Sequence, residues 1–186
     1  MVYVFLADGF EEIEAVAPID ILRRAGLEVI TVKVGGNEND NKVTGSHNIE
    51  ITADIHENKI GSNGLEMIVL PGGGVGVDNL YNSGNTKWFI GHCIMHNIPI
   101  AAICAAPSVL ARLGYLKGVK ATAYPSFRHY LTEGGAILDG TNKVVTDGIF
   151  TTAAAAGVSI EFGLELARVL KGENESKKIG EQILFY

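Results

Sequence analysis

In the stretch IPIAAICAAPSVLARLG, residues 98–114, one of only two cysteines in the chain stands where an apolar run gives way to a helical pattern. Ile98 to Ile103 reads as a buried strand. Ser108 to Leu113 reads as a helix, entered through Ala105, Ala106 and Pro107. A cysteine at such a junction is either a small space-filling hydrophobe or a nucleophile held on a sharp strand-to-helix turn. In the second case the positive end of the helix favours thiolate over thiol and lowers the cysteine pKa by roughly one to five units. The small side chains of Ala102, Ala105 and Ala106 suit a tight turn. Local pattern leaves both readings of Cys104 standing.

Two further turns bear on the choice. ADGFEE follows an apolar run and places Glu11, Glu12 and Glu14 in the first turns of a helix. Solvated carboxylates that complement the helix dipole account for two of the three. A carboxylate aimed at a thiolate would behave differently, because like charges in contact disfavour joint ionisation and one partner must keep a proton. Glu14, one turn before Pro18, is the best placed to face inward. LPGGGVG, with Gly72 and Gly73 at its centre, frees backbone amides for an anion or oxyanion, or is simply a flexible turn. It lacks the Gly-Lys-Ser/Thr of a phosphate loop and the spacing of a dinucleotide fingerprint.

The histidines are less informative. HCIMH sets His92 and His96 four residues apart around Cys93, a spacing compatible with a metal. No acidic third ligand is near in sequence, so an amphipathic helix over a buried Cys93 is the preferred reading, and no metal or cofactor is expected. His47 falls on an exposed strand or loop, and His56 and His129 read as surface residues.

These turns need a frame. The chain has 186 residues, 47% of them hydrophobic, enough for one domain with a substantial core and no disulfide framework. Its net charge of −6 argues against nucleic acid or an anionic membrane as partner. No apolar run is long enough to span a bilayer, and the N-terminus has no basic leader pattern. Two cysteines in apolar contexts suit a reducing, cytoplasmic setting. Strands are expected over Val2–Ala7, Glu28–Val34, Met67–Leu70 and Ile98–Ile103. An exposed strand or hairpin is expected over Val43–Ala53, a short strand near Ala121, and a hairpin-like pair around LDGTNKVVTDGIFTTA. Helices are expected over Glu11–Ala25, kinked at Pro18, near Thr86–Asn97, near Phe127–Glu133 and over Ser159–Lys171. The polar GENESKK leads to a short C-terminal segment. This alternation predicts an open, mostly parallel α/β sheet with helices on both faces. Sites in such sheets lie beyond the carboxyl ends of the strands, where all three turns fall.

Taken in order, ADGFEEIEAVAPIDILRRAG, IVLPGGG, AAICAAP and GVSIEFGLELARVLKG resemble the ThiJ/PfpI superfamily from about Val2 to Gly172. The resemblance is closest to its parkinsonism-associated, DJ-one-type branch and to bacterial ThiJ-like members. It implies a flavodoxin-like sandwich, a homodimer, and a reactive cysteine that maps to Cys104. A protonated glutamate hydrogen-bonded to the sulfur maps to Glu14, and oxyanion-type amides to Gly73 and Ala105. Arg24 and His47 match positions near the dimer interface and pocket, the second often arginine in relatives. Ala105 stands where the peptidase branch carries a histidine, Ala106 replaces a family glycine, and Tyr124 precedes Pro125 where a histidine is expected. Tyrosine is a poor general base at neutral pH, so the base is left unassigned.

The expected activity is that of a cytoplasmic protein of oxidative or carbonyl stress. Cys104 would add to small carbonyls such as methylglyoxal or their adducts, in glyoxalase- or deglycase-type chemistry, or would sense peroxide by oxidation. A redox-responsive chaperone without turnover is the alternative, and a cysteine peptidase or amidase is disfavoured by Ala105 and Tyr124.

Overall fold

β1 (Val2–Ala7) is buried along its whole length in the computed structural model, which describes all 186 residues. An all-apolar strand of this kind belongs at the centre of a parallel sheet, covered on both faces. The chain continues through α1 (Glu12–Arg24), β2 (Val29–Val34), β3 (Lys42–Thr44), β4 (Glu50–Thr52), β5 (Ile55–His56) and β6 (Met67–Leu70). Next come α2 (Gly74–Asn82), α3 (Gly84–His96), β7 (Ile100–Ile103), α4 (Pro107–Arg112), β8 (Lys120–Ala121), α5 (Arg128–Glu133) and β9 (Ile137–Leu138). β10 (Val144–Asp147), β11 (Phe150–Ala153), α6 (Ser159–Lys171) and α7 (Glu173–Gln182) complete it.

Seven strands form the main sheet in the order β10-β11-β7-β6-β1-β2-β5. All neighbours run parallel except the edge pair β10 and β11, which is an antiparallel hairpin. β3 and β4 form a separate antiparallel hairpin, as the alternation of Val43–Ala53 predicts. Because successive side chains on a strand point to opposite faces, each central strand feeds two cores. Tyr3, Phe5, Ile68, Leu70 and Ile100 pack under α2 to α5, with Phe89, Ile90 and Leu110. Val2, Val4, Leu6, Val69 and Ile103 pack under α1, α6 and α7, with Ile21, Leu22 and Phe162. α1 and α6 approach closely at Gly163, where a Cβ would sit 2.7 Å from Ile21 Cδ1 and 3.1 Å from Pro18 Cα. α1 continues through Pro18 as one element. No helix is long and apolar enough to cross a membrane.

Several local expectations differ from the fold. α2 forms within the glycine-rich stretch read as a loop, and α7 within the polar tail. The strand expected from Ile98 begins at Ile100, after Pro99. His56 is buried rather than on the surface: it lies on the edge strand β5, with Nε2 3.1 Å from the Gly35 carbonyl and Nδ1 accepting from the Asn58 amide at 3.2 Å. His129 is exposed, as expected.

From β1 the chain builds outward to β2 and β5, then returns to build β6, β7 and β11 on the other side. The order therefore switches between β1 and β6, and a crevice opens at their carboxyl ends. The turns after β1, β6 and β7 meet there. Gly76 N donates to Gly9 O at 3.2 Å, and Glu11 N to Gly72 O at 3.0 Å.

Candidate active site

Cys104 is the first residue after β7 and has a left-handed backbone, φ 63°. For a residue with a Cβ this conformation costs roughly 1–2 kcal/mol, so neighbouring structure must impose it. Two main-chain hydrogen bonds do so: Cys104 N–H donates to Ala153 O at 2.8 Å, and Cys104 C=O accepts from Tyr124 N–H at 2.9 Å. Ala105 and Ala106 are buried behind it, and α4 begins at Pro107. Cys104 is partly exposed, while its neighbours Ile103, Ala105 and Ala106 are buried. A cysteine used only to fill space has no need of such a turn.

Glu14 is fully buried on the first turns of α1. Its amide is capped by Glu11 Oε2 at 2.8 Å, which fixes the start of the helix. Glu14 Oε2 accepts from the Gly72 amide at 2.9 Å, whereas Oε1 has no hydrogen-bond partner. Burial is the largest influence on this carboxyl; the Cys104 thiol opposes it, the Glu11 charge adds to it, and the Gly72 amide opposes it. The net effect raises the pKa to about 7. Cys104 and Gly72 crowd the same point, since a Cβ on Gly72 would lie 2.8 Å from Cys104 Cβ and inside the Glu14 carboxylate.

The thiol itself runs against expectation. Burial pushes the Cys104 pKa up, and the Glu14 charge and hydrogen bond push further, while the Ala105 amide pulls it down. A depressed thiol pKa does not follow from the helix end alone. α4 is short, and an ionised Glu14 beside the sulfur outweighs it. An ionised Glu14 therefore disfavours thiolate beside it.

Gly73, with φ 91°, packs against the β1–α1 turn and precedes α2. Neither the Gly73 nor the Ala105 amide donates to an oxygen of the protein. The Gly72 amide, by contrast, is taken by Glu14 and is not free for an oxyanion. Tyr124 meets Cys104 through its backbone amide, and its side chain is 44% exposed.

The β3–β4 hairpin folds over the start of α1. His47 N donates to Glu12 Oε1 at 2.7 Å, His47 Nδ1 lies 2.8 Å from Glu12 Oε2, and Ser46 Oγ donates to Oε2 at 3.3 Å. Glu12 is therefore buried rather than solvated. Burial works to raise its pKa, but the hydrogen bonds from the His47 ring and amide outweigh it and bring the pKa down to about 2. The same contact raises the pKa of His47. Nothing in the spacing of EEIE and TGSH marks this pair, which the hairpin creates. Donor atoms of Glu11, Glu12 and His47 lie within 4.8 Å of one another, where a cation could be held, but they already satisfy each other as an ion pair. Arg24 is elsewhere, at the far end of α1, paired with Asp20 at 2.7 Å. It lines an apolar surface groove of about 560 Å³ with Ile13, Val16, Ile49, Ile160 and Ile183.

The model of the DJ-1/PfpI family matches residues 1–169. The chain is 33% identical to Protein dj-1beta of Drosophila melanogaster over 97% of its own length and 95% of the relative's. The crystal structure of that fly protein superposes with a TM-score of 0.90, covering 98% of this chain and 96% of the other at 32% identity. Protein DJ-1 homolog B of Arabidopsis thaliana is 34% identical over 98% of this chain, which spans 41% of the plant protein. The structure of oxidized Toxoplasma gondii DJ-1 matches with a TM-score of 0.87 and 34% identity, over 98% of this chain and 97% of that one.

Proposed function

The chain belongs to the DJ-1/PfpI family, and from that premise we propose that Cys104 and Glu14 are the reactive pair of a site for small carbonyl compounds of the methylglyoxal kind. The observation that carries this reading is the fully buried Glu14, whose carboxyl meets Cys104 at Gly72, whose Oε1 has no partner and whose pKa is raised to about 7. Such a carboxyl both accepts and returns a proton at neutral pH.

The chemistry follows from these groups. Cys104 Sγ attacks the aldehyde carbon, and the carbonyl π electrons move to oxygen. The amides of Gly73 and Ala105 are available to bind that oxygen as charge develops. The thiol proton, held by the pair, passes to the oxygen and gives a hemithioacetal. Removal of the proton from the former aldehyde carbon by Glu14 and its return to the neighbouring carbon, with the hemithioacetal hydroxyl proton passing to the ketone oxygen, converts this to a thioester of a 2-hydroxy acid. Water then cleaves the thioester, releasing lactate from methylglyoxal and regenerating the thiol. Glu14 serves as the base that Tyr124 does not supply. The test is methylglyoxal loss and lactate gain with the native chain and with Cys104→Ser. Loss of turnover in the variant is expected, and unchanged turnover overturns the cysteine mechanism.

A second reading rests on the relative solved in an oxidized state. Peroxide would take Cys104 to sulfenic and then sulfinic acid, with protonated Glu14 donating to the new oxygen. Oxygen addition confined to Cys104 in intact-mass spectra, without carbonyl turnover, favours this sensor over the enzyme, and would also fit a redox-responsive chaperone. Both cysteines are free thiols, which suits a cytoplasmic location. The apolar groove along α1, with Ile13, Val16, Ile49 and Ile160 exposed, suits a second copy of the chain, as in the homodimer the resemblance implies.

A further inference from the structure

On the opposite face of the sheet from α1, the helix α3 buries Phe89, Ile90 and Cys93 and turns a different set of groups outward. His92 and His96, one turn apart, have ring centroids 4.3 Å from each other. Trp88, one turn earlier, stacks on His92 with centroids 5.1 Å apart and planes 15° from parallel. Met95 is 76% exposed and lines, with Trp88 and His92, a surface cavity of about 330 Å³.

The donor set is chemically narrow. Two imidazoles and a thioether are offered, and no carboxylate lines the cavity; Lys87 is its only charged neighbour. Calcium and magnesium require oxygen ligands and are excluded by this set. Imidazole binds copper in either oxidation state, and thioether sulfur favours copper(I) over harder divalent ions. Positions i, i+3 and i+4 lie on neighbouring turns of one helix side; His92 and Met95 line the cavity, and the His96 ring packs against His92. Cys93 is not among the ligands. It is fully buried on the other side of α3, and burial raises its pKa to about 12.

We propose that His92, Met95 and His96 bind one copper ion on the outer face of α3, with the Trp88 indole against it. This site is separate from the Cys104 chemistry and stands whether or not that reading holds.

Trp88 is the only tryptophan in the chain and makes the site self-reporting. Indole fluorescence of the native protein is followed during addition of copper(II) chloride, and again with ascorbate under nitrogen to supply copper(I). Quenching that saturates at one equivalent is expected. His92→Gln and His96→Gln should each weaken binding at least tenfold. Met95→Leu should weaken copper(I) about tenfold and copper(II) less than twofold, and Cys104→Ser should change neither. Met95 is exposed and neither His92 nor His96 belongs to a packed core, Cys104 packs against one, and matching circular dichroism verifies the fold of all four variants. Electron paramagnetic resonance of the copper(II) form should show nitrogen coupling that both histidine variants reduce. The proposal is overturned by native-like quenching in the histidine variants, by loss of quenching in Cys104→Ser, by a Met95→Leu protein that binds copper(I) normally, or by tighter binding of zinc chloride than of copper(I).

Discussion

The Gly72 amide donates to Glu14 Oε2 over 2.9 Å, while the Gly72 Cα leaves no room for a side chain between that carboxyl and Cys104. One residue thus orients the acid and sets how close the sulfur comes to it. Gly72→Ala forces a methyl group to within 2.8 Å of Cys104 Cβ. A destabilisation of about 1–3 kcal/mol is expected, read as a lower urea midpoint with unchanged slope. Cys104 alkylation in this variant should also lose its native pH profile.

Glu14 carries a stability signature of definite sign. Its folded pKa, about 7, lies above the ordinary 4.5, so the folded protein binds the extra proton between those values. Stability is full below pH 4.5 and falls as pH rises through 7, by about 3 kcal/mol if the whole shift is expressed. Glu14→Gln mimics the protonated acid and removes this loss. Its melting temperature should exceed that of the native chain at pH 8, and the gap should close on acidification to pH 4.5. A constant gap across that range would mean that Glu14 does not titrate as described.

The backbone at Cys104 reverses a familiar order. Alanine ordinarily stabilises a chain relative to glycine, but at φ 63° glycine carries no penalty and alanine does. Cys104→Gly should therefore be more stable than Cys104→Ala by about 1 kcal/mol in urea denaturation. The opposite order would show that the turn relaxes when the sulfur is removed.

The groove along α1 makes a statement about assembly. Ile13 lines it and is 57% exposed. Ile13→Glu should convert a dimer to a monomer of unchanged fold, seen as a halving of mass in sedimentation equilibrium. A native chain that is monomeric at all concentrations tested would exclude the dimer.

How much of this the sequence discloses depends on what holds each part. β1, β6 and β7 are legible because two-sided burial demands unbroken apolar runs, and β2 because only Thr31 and Lys33 interrupt one. α6 is legible from its periodic apolar stripe. α2 is not, because glycines at 74 and 76 mask its helical signal; the backbone approach at Gly9 requires the second of them. α7 hides because its buried face is Ser176, Ile179 and Gly180, two of them too small to mark a stripe. Cys104 and Glu14 stand at a strand end and a helix start, where pattern reading raises them as candidates without deciding, and the family resemblance is what singles them out. The pairing of Glu12 with His47, and the burial that follows, belong to a hairpin that closes over distant residues. The raised thiol pKa has the same origin, since it depends on which carboxyl the fold sets beside the sulfur.

The turn at Cys104 has one more implication. Its N–H is held by β11 and its C=O by the amide of Tyr124, so neither anchor involves the sulfur. The socket is main chain throughout, and the side chain it presents is an interchangeable fitting in it. A lineage built on this frame can exchange the group it presents at this point, or retire it, without redesigning the architecture that aims it.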